Sequence, residues 1–185
     1  IIHMTLPPFT RKLTYKGSLK TTNLNLDAIG LGNGNISDRL NFNGQVEGAG
    51  VNLAELNTRF DAYITDSRIL GYTLDSVYAN LLLKDREVAG ILRVEDKQGK
   101  ADLFIDLNLE QSPKLYTING QVENVNLEHY GLLKEPVFFS SALDLDFVGD
   151  SLENADGVLT LLDAKLERII GDSIDVFKLP GLSLG

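Results

Sequence analysis

Residues Ala101-Asp102-Leu103-Phe104-Ile105-Asp106-Leu107-Asn108-Leu109 alternate side chains at period two, with Ala101, Leu103, Ile105, Leu107 and Leu109 on one phase. Period two places every second residue on one side of an extended strand, so the run reads as a half-buried β-strand. Working outward, Leu40, Phe42, Gly44 and Val46 alternate with Asn41, Asn43, Gln45 and Glu47. Val137, Phe139, Ser141, Leu143, Leu145 and Phe147 alternate with Phe138, Ser140, Ala142, Asp144, Asp146 and Val148. One apolar and one wet phase is the mark of an antiparallel sheet covered on one side only. Turn signals at Asp85-Arg86, Asp96-Lys97-Gln98-Gly99, Gln111-Ser112-Pro113-Lys114, Gly149-Asp150 and Asp156-Gly157 separate the runs. Their spacing predicts a meander of hairpins without a linker. Segment 158–170 fits a helix through Val158, Leu161, Leu162, Leu166 and Ile169, or a strand through Val158, Thr160, Leu162, Ala164 and Leu166. The neighbouring meander favours the strand.

Within this pattern a phrase recurs three times, at 17–29, 44–56 and 120–130. The longest identity sets Asn43-Gly44-Gln45-Val46-Glu47 against Asn119-Gly120-Gln121-Val122-Glu123. Each copy closes on Asn25-Leu26, Asn52-Leu53 or Asn126-Leu127, with Ile29, Leu56 or Tyr130 three positions after the Leu. Recurrence marks a repeat architecture, in which units bury apolar surface by stacking on neighbours. It implies a long shared surface rather than one compact active site. Period two is lost after each of these Asn residues. Asn is a good N-cap and an acidic residue follows within the first turn, which predicts a one- or two-turn helix at each place.

Composition excludes several classes. A net charge of −9 disfavours a phosphate-binding surface, so nucleic acid is not expected as a partner. It equally disfavours docking on anionic lipid headgroups. With no Cys there is no disulfide framework and no thiolate metal site. No apolar run approaches the roughly 18–20 residues that cross a bilayer as a helix. The start, Ile1-Ile2-His3-Met4, has neither a basic n-region nor a long apolar stretch, and reads as the edge of a fragment of a longer chain.

Chemistry-bearing constellations are sparse. His3 and His129 are the two histidines, and no Gly-x-Ser-x-Gly elbow accompanies His129. Asp102/Asp106 and Asp144/Asp146 sit at strand spacing on the wet phase, where carboxylates serve solvation. Asp150, Glu153, Asn154 and Asp156 form an acidic loop without the spacing or closing Glu of a calcium-binding EF-hand. Gly30, Gly32 and Gly34 lack the Lys-Ser/Thr of a phosphate loop. Asn35-Ile36-Ser37 is a formal glycosylation sequon. The expectation is a protein that is not an enzyme, with no catalytic residue, cofactor or metal.

Two architectures satisfy the alternation: a closed sandwich or barrel with the apolar faces packed inside, and a half-pipe whose apolar face stays open. The order of elements resembles the AsmA-like and TamB family of diderm bacterial envelope proteins. It is carried by the Gly-x-hydrophobic strand Leu40–Val46, the turn Val51-Asn52-Leu53-Ala54-Glu55-Leu56, and the strands Tyr72–Leu83 and Ala101–Leu109. The resemblance implies an all-β, elongated antiparallel meander folded into a taco-like half-pipe with an apolar concave face and short helical turns. It further implies that 1–185 is one β-repeat segment of a larger periplasmic protein, anchored in the inner membrane and reaching toward the outer membrane. The implied function is non-catalytic: a bridge with an apolar groove that supports phospholipid transport between the membranes and outer-membrane protein assembly. Implied partners are phospholipid acyl chains, an outer-membrane barrel protein of the TamA/BamA type, or an unfolded barrel strand held by β-augmentation. A secreted β-repeat adhesin or carbohydrate-binding module is the alternative; the absence of Trp and the scatter of Tyr and Phe over both phases weigh against sugar platforms.

The residues expected to line the groove lie on the apolar phase of their strands. They are Phe42, Val46, Leu81, Leu83, Leu92, Val94, Leu103, Ile105, Leu107, Ile118, Val122, Phe139, Leu143 and Leu145. A lipid moving through water exposes acyl chain at about 0.8 kcal/mol per CH₂. Some thirty methylenes make that barrier on the order of 20 kcal/mol. A continuous apolar track removes most of it without any catalytic group.

Overall fold

Long alternating runs become long strands. The structure, a computed structural model, describes residues 2–5, 13–26, 38–50, 55–69, 72–149, 156–170 and 173–184. The chain divides into two compact units, Ile1–Glu95 and Asp96–Gly185. The first holds β1 (Ile2–Thr5), β2 (Thr14–Asn25), β3 (Arg39–Ala49), β4 (Asn57–Ile69), β5 (Tyr72–Lys84) and, but for its last residue, β6 (Glu87–Asp96). The second holds β7 (Gly99–Asn108), β8 (Lys114–Asn126), β9 (Val137–Gly149), β10 (Asp156–Ile170) and β11 (Ser173–Leu184). Within each unit the strands pair antiparallel in chain order. Among the described residues the first and last strands of a unit do not pair with each other, so neither unit's strands close into a barrel. The fold is all-β, and the ambiguous segment 158–170 is a strand.

The strands are interrupted at regular places. Asn23 (φ 54°) in β2, Asp66 (φ 42°) in β4, Asn124 (φ 53°) in β8 and Asp163 (φ 52°) in β10 take the left-handed conformation. Asn and Asp tolerate that region because their short polar side chains bond locally. The pairing register slips between Thr21 and Leu24, between Val122 and Val125, and between Leu162 and Lys165. The β3–β4 register slips likewise, between Arg39 and Phe42, with the extra residue on the β4 side beside Asp66. Each slip is a β-bulge, one extra residue that moves all later side chains to the other phase. Counted at strict period two from Thr21, Val122 and Leu161, residues Leu24, Val125 and Leu166 would fall on the polar side. The extra residue returns Leu24 to a place opposite Leu40, and Val125 and Leu166 to places opposite Phe139.

Side chains of the strand between hold each pair of bulges. Asn41 of β3 accepts the Asn23 N–H through Oδ1 at 2.7 Å and donates from Nδ2 to the Asp66 carbonyl at 2.8 Å. The fully buried Ser67 hydroxyl accepts the Asn41 N–H at 2.9 Å. On β9, Ser140 accepts the Asn124 N–H at 2.8 Å and Ser141 donates to the Leu162 carbonyl at 3.1 Å. Backbone groups released by the slips are satisfied in this way.

A left-handed residue recurs at one place of the phrase, within a bulge in the first and third copies. Asn23, Gly50 (φ 93°) and Asn124 each stand two residues before the Asn of an Asn-Leu pair. The short helices predicted after those Asn residues are corrected where the chain is described: after Asn126 there is a turn over 127–131 and no helix. Asn126 Oδ1 does cap the N–H groups of Glu128 and His129, at 3.1 and 3.3 Å. Its N–H and Nδ2, however, are tied to the Gln98 carbonyl at 2.7 Å and Gln98 Oε1 at 3.0 Å. The Leu127 N–H pairs with the Val137 carbonyl at 2.9 Å, so the chain turns back into β9 instead of winding on. Residues 27–37 and 51–54, which hold most of the other two segments, lie outside the described residues. Asp156-Gly157, read as a turn, instead opens β10 opposite Val148 and Phe147.

The two mid-strand glycines of the phrase are not equivalent. A Cβ on Gly120 (φ 151°) would sit 2.1 Å from the Asp102 carbonyl oxygen, which belongs to the backbone of β7. On Gly44 it would meet the Phe42 ring at 2.4 Å, and a ring can rotate away. Urea unfolding should therefore show Gly120→Val costing about 3 kcal/mol and Gly44→Val about 1 kcal/mol. Asn124→Val should cost about 1–2 kcal/mol, whereas Asn124→Gly should stay near wild type, because only the former forces a β-branched residue into the left-handed region.

Candidate functional site

Directly paired residues share one side of a sheet, so the register sorts side chains into rows. In the first unit Thr21, Phe42, Ile64, Val77 and Val94 stand opposite one another in turn across β2 to β6. The next rows run Leu19, Gly44, Ala62, Ala79, Leu92, then Gly17, Val46, Phe60, Leu81, Gly90. Leu83 follows between Thr58 and Val88. The six groove residues expected in this unit thus lie on one side. In the second unit Ile105, Ile118, Leu145 and Leu159 form one row, and Leu103, Gly120, Leu143 and Leu161 another. Leu107 lies opposite Tyr116, and Val122 lies between Ala101 and Ser141. Phe139 is in phase with Ser141 and Leu143 along β9, and the bulges set Val125 and Leu166 opposite it, so the eight residues expected here also share a side. None of these rows contains a charged residue.

All fourteen are half-buried. Among the described residues the only apolar side chains that are buried are Leu26, Ala62 and Ala164. Strands about 4.8 Å apart cover the flanks of each side chain. A second packed layer would bury the large aliphatics outright, as interiors do. Relief lies over the glycines: Gly17 and Gly44 floor a cleft of about 570 Å³ whose walls are Leu19, Phe42, Val46 and Phe60. Leu19 is 60% exposed, and the Phe42 and Phe60 rings stack at 6.3 Å. In the second unit Tyr116 stacks on Phe147 at 4.4 Å.

Several members of these rows escaped the sequence reading. Phe60, Ala62 and Ile64 alternate in β4 as plainly as Leu103, Ile105 and Leu107 do in β7, so their signal was present. Leu159 and Leu161 were missed because the strand phase read for their segment, Val158, Thr160 and Leu162, falls on the other side of β10, where Val158 and Leu162 are exposed.

The opposite side carries the charged and amide side chains, together with exposed Leu82, Phe104, Leu115, Val148, Val158 and Leu162. Lys16 pairs with Glu47 at 2.7 Å, and Thr117 donates to Asp146 at 2.7 Å. Asp102, Asp106 and Asp144 are exposed there. His129 is exposed in the 127–131 turn, edge-on to Tyr130 at 5.1 Å, while the Tyr130 hydroxyl reaches Asp96 Oδ2 at 3.4 Å. Among the described residues no three His, Asp or Glu side chains gather as a metal set. Asp150, Glu153 and Asn154, the glycines 30, 32 and 34, the sequon 35–37 and the His3 side chain all lie outside what is described.

No family model, curated protein or solved structure matches this chain.

Half-burial sets the energetic scale of the rows. Leu103→Ala and Leu145→Ala should each cost about 1 kcal/mol in chemical denaturation, well short of the roughly 2–5 kcal/mol of a packed core site. Costs at the core level for both would mean that a further layer covers these rows.

Proposed function

We propose that this chain is a non-catalytic β-repeat segment of a bacterial envelope protein, and that its apolar rows line a half-pipe that carries phospholipid acyl chains. The supporting observation is the pairing of uncharged rows with half-burial: large aliphatic and aromatic side chains share a side, and among the described residues only three apolar ones are buried. Aliphatic contact is non-directional, so a sliding chain meets no specific pocket and leaves its headgroup in water. The bulges favour a curved sheet, since each bends its strand and increases the local twist. Resemblance to the AsmA-like and TamB family supplies the setting: a periplasmic position, an inner-membrane anchor elsewhere in the protein, and phospholipid movement toward the outer membrane. Assistance to outer-membrane protein assembly, through a barrel protein of the TamA/BamA type or an unfolded barrel strand, belongs to the same reading. Strand β11 bears on it, because Ile174 and Phe177 are about 60% exposed along a strand that pairs only with β10 among the described residues.

Mass spectrometry of an organic extract of the purified protein tests the reading. Ile105 stands opposite Ile118, and Leu143 stands between Gly120 and Leu161. Ile105→Arg and Leu143→Glu should leave the circular dichroism spectrum unchanged, because an ion on an open face keeps its water, and should abolish co-purifying phospholipid. Unfolding of both variants would identify the face as closed core, where an unpaired charge is severely destabilising. Lipid-free wild-type protein that binds an unfolded barrel strand would leave the assembly role alone.

A further inference from the structure

The polar side of the first unit carries an arrangement that the lipid reading does not use. Lys20, Asn43, Tyr63, Tyr78 and Arg93 stand directly opposite one another in turn across β2, β3, β4, β5 and β6. Four interstrand spacings make this row roughly 19 Å long. Its centre is aromatic: the Tyr63 and Tyr78 rings lie 4.7 Å apart, tilted by 34°, and Tyr63 is 50% exposed. Two clefts flank the pair and share Tyr63. One, of about 540 Å³, is lined by Lys20, Asn41, Asn43, Thr65 and Asp66; the other, of about 370 Å³, by Ser76, Tyr78, Arg93 and Glu95.

The lining narrows the ligand class. Lys20 and Arg93 are matched by Asp66 and Glu95, so the clefts hold no excess charge to attract a polyanion, and the whole chain at −9 repels one. Amides, hydroxyls and carboxylates surround the rings, which disfavours a purely apolar ligand. What fits is a molecule with an apolar C–H face to lie on tyrosine and equatorial hydroxyls to bond the rim. The rim is prearranged, because Asn41 is pinned on both sides by Asn23 and Asp66, and Asn80 donates to the Asp61 carboxylate in the row below. Among the described residues the Asn43 side-chain amide has no hydrogen-bond partner; it is exposed and lines the larger cleft beside Tyr63, with two N–H donors and one acceptor to offer. We propose that this row is a binding site for an uncharged oligosaccharide laid across the strands, with Tyr63 and Tyr78 as the stacking platform and Asn43 as its hydrogen-bonding partner. The site is on the side opposite the apolar rows, so its occupancy is independent of lipid.

The chain has no Trp, so tyrosine fluorescence reports on the platform directly. The full chain is titrated with maltotriose, cellotriose and chitotriose, and with a sulfated heparin trisaccharide as the anionic probe. At least one uncharged trisaccharide should bind saturably and the sulfated one should not. Tyr63→Ala should weaken that binding about tenfold and Asn43→Ala about fivefold, while Tyr63→Phe, which keeps the ring, should stay within about threefold. Asn43 is exposed, so its variant tests the site even if Tyr63→Ala misfolds. Failure of all three uncharged sugars to bind, preference for the sulfated one, or unchanged affinity in Asn43→Ala together with Tyr63→Ala would overturn the proposal. Co-purifying phospholipid should be the same in all of these variants, so the sugar site and the lipid track fail or stand separately.

Discussion

A single left-handed residue inside a strand is the constraint on which the rest of this structure depends. Strict alternation cannot persist along strands of twelve to fifteen residues here, because the apolar phase of the sequence changes partway through β2, β8 and β10. Asn23, Asn124 and Asp163 absorb the change by inserting one residue at φ near 50°. Leu24, Val125 and Leu166 are thereby kept on the same side as the residues before the break. The cost of a left-handed non-glycine residue is roughly 1–2 kcal/mol, and it is offset where freed backbone groups find partners. Asn41 in the first unit and the Ser140–Ser141 pair in the second supply those partners, each from the strand lying between two bulged ones. The two units use the same solution with different side chains.

Uninterrupted rows follow from that solution. A strand that slipped phase without a bulge would drive Asn25 or Asn126 into the apolar side and expose a leucine on the other. With the bulges in place, rows of Leu, Ile, Val and Phe cross five strands in the first unit without meeting a charge. Glycines at 17 and 44 lower the floor between them and open the cleft beside Phe42 and Phe60. The reverse side can then differ in character, with paired charges at Lys16 and Glu47 and a tyrosine pair beside them in the first unit. Two proposed ligands of unlike chemistry, an acyl chain and an uncharged sugar, are compatible with one sheet because period two gives its sides independent compositions.

Much of this was legible beforehand, and particular residues show why. Leu103, Ile105 and Leu107 announce their side by local alternation, and the fourteen groove candidates follow that alternation along their strands. The recurring Asn-Leu phrase was visible too, but its physical content was not. Loss of period two after Asn126 looks the same in sequence whether the chain caps a helix or has just passed a bulge. The choice was made by Gln98, twenty-eight residues away, which draws the Asn126 backbone and amide toward the 97–98 turn. Tyr63 and Tyr78 likewise looked scattered, since fifteen positions separate them along the chain.

The amino-acid sequence by itself determined the fold class and, for strands with one unbroken alternation such as β7 and β9, the polarity of the two sides, because both depend on interactions between residues two positions apart. Only the tertiary structure decided which rows stand next to which, where the phase is corrected, and which tyrosines meet. Those outcomes depend on pairing register, which is set by hydrogen bonds between strands far apart in sequence. A shift of one residue between β4 and β5 would leave every local pattern intact, yet it would separate Tyr63 from Tyr78 and Phe60 from Leu81.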